Sequence, residues 1–174
     1  SVSRILEASG RKVVQVQIVN DRGVHICKSM WAWQQFGGGI TPDSAGKKGD
    51  HLVGNFYVRF DQEFRSQVRE LMAQGRDEDA AKAGAQCMLE VQEMLRQWEA
   101  GDTEVRSLWA TMNGWVYDGF NQTYSRLGVR FDRNYYESDT YVLGKQDIEE
   151  GLARGVFYRR DDGSVWIDLR EDGL

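Results

Sequence analysis

Proline occurs once in this 174-residue sequence, and histidine and cysteine twice each. A single proline, Pro42, leaves long stretches free of helix breakers and points to a helix-rich chain. Cys27 and Cys87 lie far apart, which excludes a disulfide framework and a CxxC metal knuckle. Both read as small apolar fillers inside helices, and cytoplasmic origin is the simple expectation. His25 and His51 are too few and too distant for a zinc site. No run approaches the roughly 18 apolar residues that a membrane-crossing helix needs. A signal peptide is not expected, since the start lacks a basic flank and an apolar core. Positive charge is also short. A net charge of −5 and a pI of about 5.1 argue against a dedicated nucleic-acid module, but leave room for an acidic enzyme with a local basic patch.

What is present is an ordinary globular composition, 41% hydrophobic and 28% charged, enough for one domain with a sizeable core. The six tryptophans each bring a large apolar area. Residues 12–28, KVVQVQIVNDRGVHICK, organise the rest. Val13, Val14, Val16, Ile18 and Val19 suit a largely buried strand over 12–19. Asn20, Asp21 and Gly23 break it, and apolar residues at helical spacing predict a helix from Val24 to Phe36. A strand, a polar turn and a helix form the corner where α/β proteins place ligands. Ahead of it, residues 1–9 read as the back half of an amphipathic helix closed by Gly10, so the chain reads as a piece of a longer protein.

Gly37, Gly38 and Gly39 end the helix, and residues 40–50 are expected as a polar loop. Residues 52–73 carry an apolar residue every third or fourth place, as one helix or two joined near Asp61. A helix is predicted over 77–100, and another over about 103–127, capped by Asp102 and ended by Gly128. The latter's stripe runs from Val105 through Trp109, Met112 and Trp115 to Leu127, with core as its default role. A short strand is expected in 129–136, a helix over 140–155, and a hairpin of 156–160 and 164–169 turning at Asp161, Asp162 and Gly163.

Little of this carries chemistry by itself. Residues 46–51, GKKGDH, lack the P-loop spacing and its hydroxyl, so a solvated lysine loop is favoured, with a nucleic-acid phosphate contact as the alternative. His51 is expected to cap or pack at a helix start. His25 lies in the first turn after the strand, near the ligand corner, with a packed role favoured over catalysis. Glu90, Glu93, Glu99 and Glu104 read as solvated faces and partners of Arg96 and Arg106. Tyr135, Tyr136 and Tyr141 could stack on bases but read first as core or rim.

The stretch ILEASGRKVVQVQIVNDRGVHICKSM resembles the catalytic domain of the arginyl-tRNA synthetases, a class I family. Asn20-Asp21-Arg22-Gly23 stands where the family's Gly-Asp-Trp-Gly turn leads into a helix, Asn20 replacing the common Gly and Arg22 the common Trp. These departures resemble the branch that also carries GKKGDHLVG, here at 46–54. The likeness continues through LEVQEMLRQWEAGD (89–102), FNQTYSRLGVRFD (120–132), YYES (135–138) and DDGSVWIDL (161–169). It implies an α/β fold, part of a class I Rossmann-type core with a largely helical connective insertion and a C-terminal β-hairpin. Residues 1–36 would end the first Rossmann half, 37–51 form a polar loop, and 52–174 hold the insertion. The implied parent activates arginine with ATP and Mg2+ and attaches it to the 3′ end of its tRNA, as a cytoplasmic monomer. Its His-Ile-Gly-His and Lys-Met-Ser-Lys-Ser signatures would lie before and after this segment. No catalytic or metal-binding residue is therefore assigned here, and the segment alone is expected to be inactive. By position, Asp21, Gly23 and His25 would line the substrate corner. The alternative is a free-standing RNA-binding or protein-interaction module. With a net charge of −5, tRNA binding by the segment is expected to be weak and salt-sensitive.

Overall fold

The structure is a computed structural model that describes residues 2–161 and 163–170. The chain divides into two compact units. One consists of Ser1–Asn20 and Phe131–Leu174, the other of Asp21–Arg130. The described residues are mostly helical with a few short strands, a mixed α/β composition.

The helical unit holds α2 (Val24–Phe36), α3 (Pro42–Ala45), α4 (Gly49–Ala73), α5 (Glu78–Gly84), α6 (Gln86–Ala100) and α7 (Thr103–Leu127). Its core forms where α4 meets α2 and α7, and where α2 meets α6. Met30, Phe60, Val91 and Met112 are fully buried there. Trp31 joins three helices. Its ring meets Phe60 edge-on at 5.6 Å, and its Nε1–H donates to Glu90 Oε2 at 2.6 Å.

Several helix ends follow the sequence signals. Asp102 Oδ1 accepts from the amides of Glu104 and Val105, and Gly128 closes α7 in the left-handed conformation at φ 62°. Elsewhere tertiary contacts intervene. The helix expected over 77–100 is two helices, because Ala85 is extended (ψ 121°) and the amide of Cys87 bonds to Gln67 Oε1 of α4 at 3.0 Å. Residues 52–73 are one helix without a joint at Asp61, and it starts earlier, at Gly49. Within the tract expected as loop, Pro42 opens α3 under a Thr41 capping box. Leu127, expected in the stripe of α7, is 66% exposed, and the last buried position of that helix is Gly119.

The other unit holds α1 (Val2–Ala8), β1 (Val16–Val19), β2 (Arg133–Tyr136), α8 (Glu137–Ala153), β3 (Phe157–Arg159) and β4 (Val165–Ile167). β1 and β2 pair in parallel, with Val16 opposite Arg133 and Val19 opposite Tyr136. The whole helical unit is the crossover between them. β3 and β4 form the expected antiparallel hairpin, with Tyr158 opposite Trp166. Asp162 of its turn lies outside the described residues, as do Ser1 and 171–174. The expectation of a largely buried strand over 12–19 is corrected. β1 is shorter, only Val19 is buried, and Ile18 is 75% exposed. Among the described residues β1 has a single pairing neighbour, and nothing covers the face shared by Val14, Val16 and Ile18.

Candidate functional site

The turn ahead of α2 is built by α7. Asp21 is 2% exposed. Its carbonyl oxygen accepts from Trp109 Nε1 at 2.6 Å and from Asn113 Nδ2 at 2.9 Å. Its carboxylate accepts from the Tyr117 hydroxyl at 2.9 Å. Residues 109, 113 and 117 are spaced i, i+4 and i+8, so one face of α7 presents three donors to one residue. Gly23 follows at φ 102° and ψ −178°, a conformation that essentially only glycine adopts without strain. Its carbonyl accepts from the amides of Ile26 and Cys27 and starts α2.

Arg22 turns toward α6. Its guanidinium pairs with Glu99 at 2.5 Å and lies 5.5 Å from the centre of the Trp98 ring, which Arg106 also approaches at 5.0 Å. The Arg22 side chain is only 14% exposed, so this cation is structural in setting. His25 differs. It is exposed in the first turn of α2, and its Nδ1 lies 3.2 Å from the Tyr57 hydroxyl of α4. The Lys28 ammonium stands 5.8 Å over the Tyr57 ring. Asp21, Gly23 and His25 thus share one turn, but with different accessibility. Asp21 is an inward anchor, Gly23 supplies the bend, and His25 is the exposed side chain of the three.

The two cysteines are buried fillers, as the sequence suggested. Burial pushes both thiols up to about 11. At pH 8 only about one part in a thousand would be thiolate, the reactive form. Native chain is therefore expected to resist iodoacetamide at pH 8 and to react at both cysteines in urea. Fast native labelling, followed by mass spectrometry, would contradict this burial. The linkage has a definite sign. The unfolded thiols ionise near 9, while the folded ones stay protonated until about 11, so their contribution to stability is complete below pH 9 and is lost as pH rises toward 11.

The solvated lysine loop expected at 46–51 holds for Lys47, which is exposed, but not for Lys48–Asp50, which the fold engages. Lys48 is the N-cap residue of α4, and its Nζ bonds Asp50 Oδ2 at 2.9 Å and Thr123 Oγ1 at 2.5 Å. Gly49 is buried on Trp115, and Asp50 lies against Gly119. Positions 115, 119 and 123 form a second i, i+4, i+8 line on α7, which seats the start of α4. Lys47 and His51 remain exposed beside an open cavity of about 610 Å3 that also touches Gly54, Asn55 and Val58. His51 therefore lies in the first turn of α4 without packing inward. Sequence reasoning alone does not single out Trp109, Asn113, Tyr117 or Tyr57 as site residues. The four-residue spacing of the polar-tipped Trp109, Asn113 and Tyr117 was the available signal.

No protein-family model matches the chain. Curated proteins do. Over all 174 residues the chain is 56% identical to an arginine–tRNA ligase of Porphyromonas gingivalis, 57% to one of Parabacteroides distasonis and 55% to one of Bacteroides fragilis. The whole chain matches a segment of arginine–tRNA ligases. It spans about 29% of the length of these relatives. The GKKGDH junction and the Asp21 turn lie within the matched region, which runs without a gap in coverage from one end of the chain to the other.

Proposed function

We propose that this chain is a segment of a class I aminoacyl-tRNA synthetase that activates arginine with ATP and Mg2+ and joins it to the 3′ end of its tRNA. The observation that carries this reading is the end-to-end match, at 55–57% identity, to arginine–tRNA ligases several times longer. The parallel pair β1–β2, with its long crossover and its uncovered apolar face, suits part of a Rossmann-type sheet whose further strands and helices belong to the rest of such a parent. Asp21, Gly23 and His25 would form the piece of the substrate corner that this segment contributes. His25 would face the ligand, and Asp21 would act by holding the turn. Chemistry of this kind rests on positioning and on stabilising developing charge. Among the described residues no group of three or more His, Cys, Asp or Glu side chains is placed to hold a metal ion. In this reading magnesium enters with the nucleotide. No helix among the described residues is long and apolar enough to cross a membrane. A cytoplasmic, monomeric parent is part of the proposal.

The test is aminoacylation. The full-length protein that contains this segment is expected to attach radiolabelled arginine to tRNA in the presence of ATP. The 174-residue chain alone is expected to show no arginine-dependent ATP–pyrophosphate exchange. Charging with a different amino acid, or turnover by the isolated chain, would overturn the reading.

A further inference from the structure

We propose that Tyr57 is a positioning residue for His25: its hydroxyl donates to Nδ1, so the neutral imidazole carries its proton on Nε2 and offers that N–H to an oxygen of a substrate. This rests on the reading of Asp21, Gly23 and His25 as part of a synthetase's substrate corner. It adds to that reading the kind of chemical group that the ring can meet.

Three side chains on two helices make the arrangement. His25 is exposed in the first turn of α2, Lys28 follows one turn on, and Tyr57 belongs to α4. His25 Nδ1 and the Tyr57 hydroxyl are 3.2 Å apart. The two rings are 6.1 Å apart and tilted by 36°, so they meet through the hydroxyl rather than by stacking. Neither side chain makes another hydrogen bond among the described residues. The Lys28 ammonium lies 5.8 Å from the centre of the Tyr57 ring and 5.5 Å from that of Phe60, and it has no ion pair among the described residues. Phe60, one turn along α4 from Tyr57, is 1% exposed and packs on Trp31 and Phe64. The phenol is therefore carried by a helix face fixed in the core, while the imidazole stands in an end turn.

Chemistry sets the direction of the hydrogen bond. In a neutral imidazole one nitrogen carries the proton and the other accepts. The bare nitrogen is a good acceptor, whereas a phenol oxygen shares its lone pairs with the ring and donates better than it accepts. A cation over the ring face favours the polarised O–H further. If the hydroxyl accepted instead, its own proton would have no acceptor among the described residues. With Nδ1 accepting, the proton sits on Nε2. The two ring nitrogens diverge, so that N–H is turned away from Tyr57. An N–H needs an acceptor. The guanidinium of arginine has five N–H donors and no acceptor, so it does not fit. A carboxylate or phosphate oxygen does.

The experiment uses the full-length protein, 15N-labelled in its histidine rings, at about pH 8.5, where a free imidazole is neutral. His25 is identified as the signal lost in His25→Gln. Its pyridine-type nitrogen shift is expected at Nδ1 and its pyrrole-type shift at Nε2. Tyr57→Phe keeps the ring beside Lys28 and removes only the hydroxyl. It should return His25 to a mixture of tautomers without lowering the thermal midpoint. In aminoacylation the same variant should raise one KM by about two- to tenfold, the range that one hydrogen bond supports. A rise for arginine supports the assignment with the amino-acid carboxylate as acceptor, and a rise for ATP supports it with a phosphate. Agmatine, which keeps the guanidinium and lacks the carboxylate, should inhibit both proteins equally. Weaker inhibition of the variant would place the ring against the guanidinium and overturn the proposal. So would a proton on Nδ1, or a tautomer that Tyr57→Phe leaves unchanged. A changed tautomer with both KM values unaltered would overturn the positioning role. A rise in both KM values with a lower thermal midpoint would mark a damaged corner and overturn it as well. A protein that charges no arginine would fail at the proposed function itself, whereas the ring-nitrogen shifts are read without any substrate.

Discussion

Replacing Gly49 by alanine should destabilise the helical unit by about 3 kcal/mol or stop it folding, the upper end of the range for an overpacked core. The cause is local and geometric. A Cβ at Gly49 would fall well inside van der Waals contact with Trp115, 2.6 Å from its carbonyl carbon and 2.8 Å from its Cβ. Backbone cannot swing aside as a side-chain tip can, so α4 would have to move off α7. That movement would also separate Lys48 from Thr123 and press Asp50 away from Gly119. Gly54→Ala, five residues on in the same helix, should do the opposite and stabilise by about 0.5–1 kcal/mol, since its Cβ meets open space. Urea unfolding of the chain, followed by far-ultraviolet circular dichroism, compares the two directly. Equal and small effects would mean that α4 and α7 do not approach as closely as described.

The sequence carried the helices better than the contacts among them. Periodicity and caps placed α2 at Val24–Phe36 and α7 after Asp102, because those signals are local. The break at Ala85 was not legible, since it depends on Gln67, eighteen positions earlier, satisfying the amide of Cys87. The setting of Lys48 is hidden for the same reason. Its charge suggests solvent, while its partner Thr123 lies seventy-five residues away. The apolar run of β1 has the composition of a buried strand. Among the described residues only one neighbour pairs with it, so the composition describes a larger sheet than these residues form. At the candidate site the bend was legible from Asn20, Asp21 and Gly23. The direction of Asp21 was not. An aspartate in a polar turn reads as exposed until α7 is seen to donate once to its carboxylate and twice to its carbonyl.

Removing one of those donors should be costly. Tyr117→Phe is expected to lose about 2 kcal/mol, because it takes a hydrogen bond from a buried ionised group, where such bonds contribute about 1.5–3 kcal/mol. The phenyl ring keeps the packing, so the loss isolates the hydroxyl. Asp21→Asn keeps the shape and removes the charge. In that background the same Tyr117→Phe change should cost about 1 kcal/mol or less, giving a coupling of about 1 kcal/mol in a double-mutant cycle. Identical costs in both backgrounds would show that the hydroxyl does not act through the carboxylate. The consequence reaches His25. It stands four residues beyond Asp21 in a turn whose other fixed points are Gly23 and the two donors on the Asp21 carbonyl. Loosening Asp21 should therefore leave α2 formed but free the His25 ring from Tyr57, readable as a change in the histidine carbon and proton resonances. A loss of stability with unchanged His25 resonances would confine Asp21 to the core. Movement of both would make α7, rather than the turn's own sequence, the element that sets where the exposed imidazole points.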